Sequence, residues 1–198
     1  MDEIVLRAMQ KWPNVPRVYG WLRLDRRGRW LVKSAAGGFD AISNPAFIEF
    51  IGRNYAHDEE GRWFFQNGPQ RVFVSLDYTP WIVRLDDSGT GLVSQAGQAV
   101  DELDALYLDE GGTLLVQWRA GAGIVLDRDL PALVERLQAE NPGLADEETM
   151  MQLAGTSGGT MLRLFGRNVP FSAVRSSEMP GRCRFVPQPV PPEGQPDC

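Results

Sequence analysis

Three times the chain writes aspartate, two further residues, glycine and then an apolar run: LDRRGRWLV at 24–32, HDEEGRWFF at 57–65 and LDEGGTLLV at 108–116. Aspartate at the first turn position bonds the backbone two residues on, and glycine at the fourth accepts the left-handed conformation of a type I turn with a bulge. Each segment is therefore read as a hairpin tip. Asn67-Gly68 and the AGAG run at 120–123 supply further turns, and Val72, Val74 and Leu76 alternate as one face of a strand.

Two helices interrupt the strands in matching ways. NPAFIEFIGRNY from Asn44 carries Pro45 in its first turn, and DLPALVERLQAEN from Asp129 carries Pro131 near its start. PAFIEFI and PALVERL agree at proline, alanine, two apolar positions, glutamate and a final apolar position. Outside the helices, Asp25 precedes Pro45 by twenty residues and Asp109 precedes Pro131 by twenty-two, while GRWFFQNG (61–68) aligns without a gap to GTMLRLFG (159–166). The pattern reads as an internal duplication of the unit hairpin, helix, hairpin, with ADEETMMQLAG inserted in the second copy as a short extra helix.

The expected fold is α+β: two related halves, each a small antiparallel sheet with one main helix. The halves are placed at residues 1–88 and 89–186, meeting where DDSGTG (86–91) interrupts the pattern. A proline-rich tail in extended conformation is expected over 187–198.

Composition limits what such a chain does. Residues 1–33 carry eight basic against three acidic side chains, residues 34–160 seven against twenty, and residues 161–198 five against three. This acidic bulk speaks against a general nucleic-acid binder, which needs a broad basic face. Arg23, Arg26, Arg27 and Arg29 read as the solvent side of a hairpin. No run of eighteen apolar residues occurs, and MDEIVLRAMQKW is an amphipathic helix pattern without the basic start of a signal peptide, so a soluble cytoplasmic protein is expected. Two cysteines, Cys183 and Cys198, make no disulfide scaffold and no zinc spacing.

WPNVPRVYGWLRLD (12–25) with NYAHDEEGRWFFQNGPQRVFV (54–74) resembles an uncharacterised proteobacterial family, domain of unknown function 2946. More distantly, over about residues 20–140, the chain is similar to the family of domain of unknown function 1285. There an Asp-x-x-Gly-x-Trp hairpin is followed by a helix beginning near proline, then by Gly-Arg-aromatic and an acidic or amide residue beside a basic one. Those positions read Gly61, Arg62, Trp63, Gln70 and Arg71, with Pro80-Trp81 downstream. The resemblance implies a two-domain fold of repeated motifs whose cleft takes a nucleotide-like ligand in signalling. The usual glutamate-lysine pair of that family is Gln70-Arg71 here, which removes one negative charge.

Three functional readings follow. In the first, a small anionic or nucleotide-like ligand binds between the halves. Arg62, Gln66, Asn67, Gln70 and Arg71 form its polar end, because Asn-Gly alone suffices for the turn and the other amides and arginines are surplus donors. Trp63 or Trp81 forms its stacking wall. In the second, an exposed strand edge or the proline-rich tail serves a protein partner or a homodimer. In the third, a hydrolase or transferase uses His57, the one histidine, as base. Against that last reading, turn chemistry explains Asp58, Glu59, Glu60 and Gly61, and no nucleophile-elbow pattern surrounds Ser157. GTSGGT (155–160) leaves a helix and enters a strand without lysine, the reverse of a phosphate-binding loop. No cofactor or metal is named by any motif.

Overall fold

All three Asp-x-x-Gly segments are hairpin tips built in one way. Asp25 Oδ1 accepts from the amides of Arg27 and Arg29 at 2.9 and 2.8 Å. Asp58 Oδ1 accepts from Glu60 and Arg62 at 3.1 and 3.0 Å, and Asp109 Oδ1 from Gly111 and Thr113 at 2.9 and 2.8 Å. Gly28, Gly61 and Gly112 take φ of +78°, +77° and +77°, where a side chain is strained. The same backbone closure recurs at Ser34 and Ser94, and one residue longer at Asp86, whose amide donates to the Gly91 carbonyl, with Gly37, Gly97 and Gly89 at positive φ.

The computed structural model describes residues 1–144, 146–156 and 159–192. The chain divides into two units, one of Met1–Pro80 with the segment from Arg184 onward, the other Trp81–Cys183.

In the first unit, helix α1 (Glu3–Lys11) precedes strands β1 (Val18–Leu24), β2 (Trp30–Lys33) and β3 (Phe39–Ala41). Helix α2 (Pro45–Arg53) and strands β4 (Tyr55–His57), β5 (Trp63–Asn67) and β6 (Gln70–Leu76) follow. The sheet order is β3-β2-β1-β6-β5-β4. Asn44 caps α2 by accepting from the Phe47 amide, ahead of Pro45 at its start. Phe47 and Phe50 of α2 meet Phe65 edge-on at 5.9 and 5.4 Å. That sheet face buries Leu22, Leu24, Trp30, Tyr55, Trp63, Val74 and Leu76. The residues after Arg184 lie along the same unit: the Val186 amide donates to the Gly61 carbonyl at 2.9 Å, and the Leu76 amide to that of Pro187 at 2.8 Å.

The second unit runs β7 (Trp81–Leu85), β8 (Leu92–Ser94), β9 (Ala99–Val100), β10 (Ala105–Asp109), β11 (Leu114–Trp118), β12 (Gly121–Val125), α3 (Leu130–Glu140), α4 (Glu147–Ala154), β13 (Thr160–Leu164), β14 (Arg167–Val174) and α5 (Met179–Cys183). Its sheet order is β13-β14-β10-β11-β12-β7-β8-β9. Helix α4 is the short insert expected from ADEETMMQLAG. Gly123 leaves room for Trp81 and Val83 of the paired strand, since a Cβ there would stand 3.1 Å from both side chains.

The α+β class holds, and the hairpins are antiparallel as expected. What joins them is parallel: β1 pairs β6, and β10 pairs β14. A helix between two hairpins carries the chain over the sheet and returns it in the starting direction, so the last strand settles beside the first in parallel. The units thus share one scheme, β3-β2-β1-β6-β5 against β12-β11-β10-β14-β13. The shared parallel pair also corrects the ungapped alignment. Leu24 faces Leu76 and Leu108 faces Ala173, so Val72 corresponds to Val169. Their partners Phe65 and Leu162 then correspond, one residue away from the match of Phe65 with Arg163. In a strand that slip exchanges the two faces.

Candidate functional site

Alternation along β5 and β6 sorts the predicted residues onto opposite faces. Arg71 and Phe73 stand opposite Gln66 and Phe64, on the face turned away from α2, and Arg62 joins them with its guanidinium 5.0 Å from the Phe73 ring. Trp63, Phe65, Asn67 and Gln70 belong to the other face. Trp63 is core, buried against Tyr55 at 4.7 Å. Asn67 and Gln70 close the end of the hairpin. Trp81 belongs to the second unit, where its buried indole donates to the Ala120 carbonyl at 2.8 Å and packs 6.0 Å from Trp118.

The arginines find aromatic neighbours that the sequence reading did not single out. Tyr19 of β1 stacks on Phe73 at 4.6 Å, Phe64 meets Phe73 edge-on at 6.0 Å, and the Arg71 guanidinium lies 3.8 Å from the Phe64 ring. Tyr19, Phe64 and Phe73 form one buried cluster. The Tyr19 hydroxyl is buried and has no hydrogen-bond partner among the described residues, although hydroxyls removed from water are ordinarily paired.

Arg62 and Arg71 differ in their counter-charges. Arg62 reaches Asp58 through Nε at 2.9 Å and Nη2 at 2.8 Å, and Glu60 at 3.0 Å. Burial draws its pKa down, but the hydrogen bonds and charge of Asp58 more than compensate, so Arg62 is held above the ordinary arginine value. Arg71 has no carboxylate within ion-pair distance among the described residues. Its Nε makes a long 3.4 Å bond to Gln66 Oε1, and its terminal nitrogens meet no acceptor among the described residues. Burial, and then the positive charges of Arg17 and Arg62, outweigh the opposing charge of Asp58 and hold its pKa below the ordinary value. The buried Gln66 spends its amide nitrogen on the Gly68 carbonyl at 3.0 Å. Gln66 therefore serves the turn while steadying Arg71.

Asp58 anchors this corner. Burial pushes its carboxyl up, but the Arg62 side chain and the amides of Arg62 and Glu60 bring it below its ordinary value of 3.8. A depressed folded-state pKa gives stability that is present above the unfolded value and is lost as pH falls through the folded one. Asp58→Asn is expected to cost about 2 kcal/mol at neutral pH. In urea unfolding, the gap between wild type and variant narrows below pH 4, because the protonated aspartic acid then resembles asparagine. A gap that stays constant down to pH 2 contradicts this role.

His57 ends β4 in the open, with Nδ1 2.9 Å from the Asp58 carbonyl and its ring 5.0 Å from Trp63. The neighbouring Asp58 carboxylate is taken up by its own turn and by Arg62. Ser157, within GTSGGT, and the tail from Glu193 lie outside the described residues. Among the described residues no group of three or more His, Cys, Asp and Glu side chains is placed to hold a metal ion, and no helix is long and apolar enough to cross a membrane.

A family model described as "Protein of unknown function (DUF2946)" matches residues 1–190. Among solved structures, the chain is similar to a DUF1285 family protein from Silicibacter pomeroyi DSS-3. The two are 16% identical with a TM-score of 0.48, over 88% of this chain and 97% of that one. No curated protein matches the chain.

Proposed function

Because the chain belongs to the DUF2946 family, described only as protein of unknown function, its role rests on its own residues, and we propose that it is a cytoplasmic binding protein whose first unit takes a small anionic ligand at Arg71. One observation carries this reading. A half-buried arginine with no carboxylate in ion-pair contact among the described residues lies on Phe64, in one aromatic cluster with a buried Tyr19 hydroxyl that has no partner there either. A partly desolvated cation with no carboxylate in direct contact is unfavourable, and an anion bound there relieves it. The two cysteines, too few for a disulfide framework, fit a reducing compartment.

The fold does not demand this arrangement. In the second unit, the positions corresponding to Phe64, Arg71 and Phe73 are Met161, Asn168 and Pro170. The same strand scheme therefore forms without the arginine or the rings, which makes them a feature added to the scaffold.

The test is a thermal-shift titration with phosphate, sulfate, acetate and nucleotides against chloride at matched ionic strength. An anion at a hundred times its dissociation constant adds about 2.7 kcal/mol. A cooperative melting transition that no anion moves would overturn the reading. Tyr19→Phe separates binding from folding. Removing an unpartnered buried hydroxyl leaves stability equal or raises it by about 1 kcal/mol, while anion affinity falls several-fold. A variant that binds as tightly as wild type would take the Tyr19 hydroxyl out of the site.

A further inference from the structure

We infer that the ligand of this site is a compact dianion of the phosphate type, recognised through its oxygens and not through a nucleobase. The inference rests on the anion-binding reading above. Charge is the first support. Arg17 is exposed and immediately precedes Val18, which pairs in parallel with Val72, the neighbour of Arg71; it likewise has no carboxylate within ion-pair distance among the described residues. Arg62 is committed to Asp58 and Glu60. Neither Arg17 nor Arg71 is then in ion-pair contact with a carboxylate among the described residues, and a dianion offers a charge to each.

Donor geometry is the second support. The two terminal nitrogens of Arg71 present a planar fork, and the Tyr19 hydroxyl adds an unpartnered donor from another strand, on a ring that stacks on Phe73 in the same cluster as Phe64. A tetrahedral phosphate offers oxygens in several directions to such a set, whereas a carboxylate offers two in one plane.

The third support is the state of the aromatic rings. A base read by stacking needs a free ring face. Phe64 is covered by Arg71 at 3.8 Å, and Phe73 lies against Tyr19 at 4.6 Å with Arg62 5.0 Å away. The exposures of Phe64 and Phe73 are 4% and 1%. Their role is to hold the guanidinium groups, which leaves a base no surface on this cluster.

Calorimetric titration of the full chain with methyl phosphate, sulfate, acetate, adenosine and adenosine monophosphate tests the inference at pH 5 and pH 7.5. A phosphomonoester loses its second proton at about pH 6. Methyl phosphate is expected to bind about tenfold tighter at the higher pH, as one added charge near two arginines implies. Sulfate is a dianion at both values and serves as the control for any change in the protein itself; its affinity is expected to stay level. Arg17→Ala is expected to remove most of the pH gain of methyl phosphate. Adenosine is expected not to bind, and the monophosphate to match methyl phosphate within a few-fold. Acetate binding as tightly as methyl phosphate would overturn the dianion and leave the anion site standing. Adenosine binding, or a monophosphate more than tenfold tighter than methyl phosphate, would overturn recognition without the base. If no anion binds at either pH, the anion site itself fails and the inference with it.

Discussion

Gly61→Ala is expected to destabilise the protein by about 3 kcal/mol, the sum of a left-handed backbone penalty and an overpacking penalty. Gly61 sits at φ +77°, and an added Cβ would stand 2.3 Å from the Arg184 carbonyl oxygen and 3.2 Å from the Phe185 Cα. Both atoms are backbone, so no rotamer change relieves the clash. The segment must lift, and with it go the bond from Val186 to the Gly61 carbonyl and the burial of Phe185. Gly37 supplies the control, with a similar φ of +83° and open space around its Cβ position. Gly37→Ala is expected to cost only about 1 kcal/mol. Urea unfolding reads both values, and trypsin should release the C-terminal peptide faster from Gly61→Ala. Equal costs for the two variants would mean that the contact with residues 184–186 does not contribute.

Arg71→Gln carries the largest expected functional effect. It removes the charge and the terminal fork but keeps much of the side chain's length, so anion affinity is expected to fall about a hundredfold, near 3 kcal/mol. The fold should tolerate the change within about 1 kcal/mol, because the lost contact with Phe64 is offset by relief of a partly buried cation repelled by Arg17 and Arg62. Arg29→Gln breaks the 2.7 Å pair with Asp25 at another turn and is expected to leave anion affinity unchanged. Calorimetry on the two variants reads the contrast. Equal losses would indicate general attraction to positive charge and no site.

The hairpins were legible because Asp-x-x-Gly fixes both side-chain and backbone requirements of its turn locally. Ser34-Ala-Ala-Gly and Ser94-Gln-Ala-Gly make the same closure with a serine in first place, and a reading keyed to aspartate passes over them. Both main helices were legible from proline and apolar spacing. The alignment of the two hairpins was not, because a one-residue shift keeps the composition of a strand and changes only its face.

The placement of the candidate residues was legible in part. Arg62, Gln66 and Arg71 lie on one face, as two-residue alternation along adjacent strands requires. Tyr19 and Arg17 escaped because they meet Arg71 only through the parallel pairing of β1 with β6, some fifty residues apart in sequence. Trp63 looked like a stacking surface because its type is right, yet its place in the strand turns it into the core beside Tyr55. Residue type suggested an aromatic stacking wall, whereas strand parity puts Phe64 and Phe73 on the arginines' face, where they pack against the guanidinium groups.

The most direct measurement is a phosphate titration followed through the Nε–Hε resonances of the arginine side chains by nuclear magnetic resonance, with the Arg71 signal assigned from Arg71→Gln. The Arg71 signal is expected to shift in a saturable manner, accompanied by Arg17, while those of Arg29 and Arg84, bound to Asp25 and Asp87, stay in place. A saturable shift confined to other arginines, or no saturable shift up to millimolar phosphate, would contradict an anion site at Arg71.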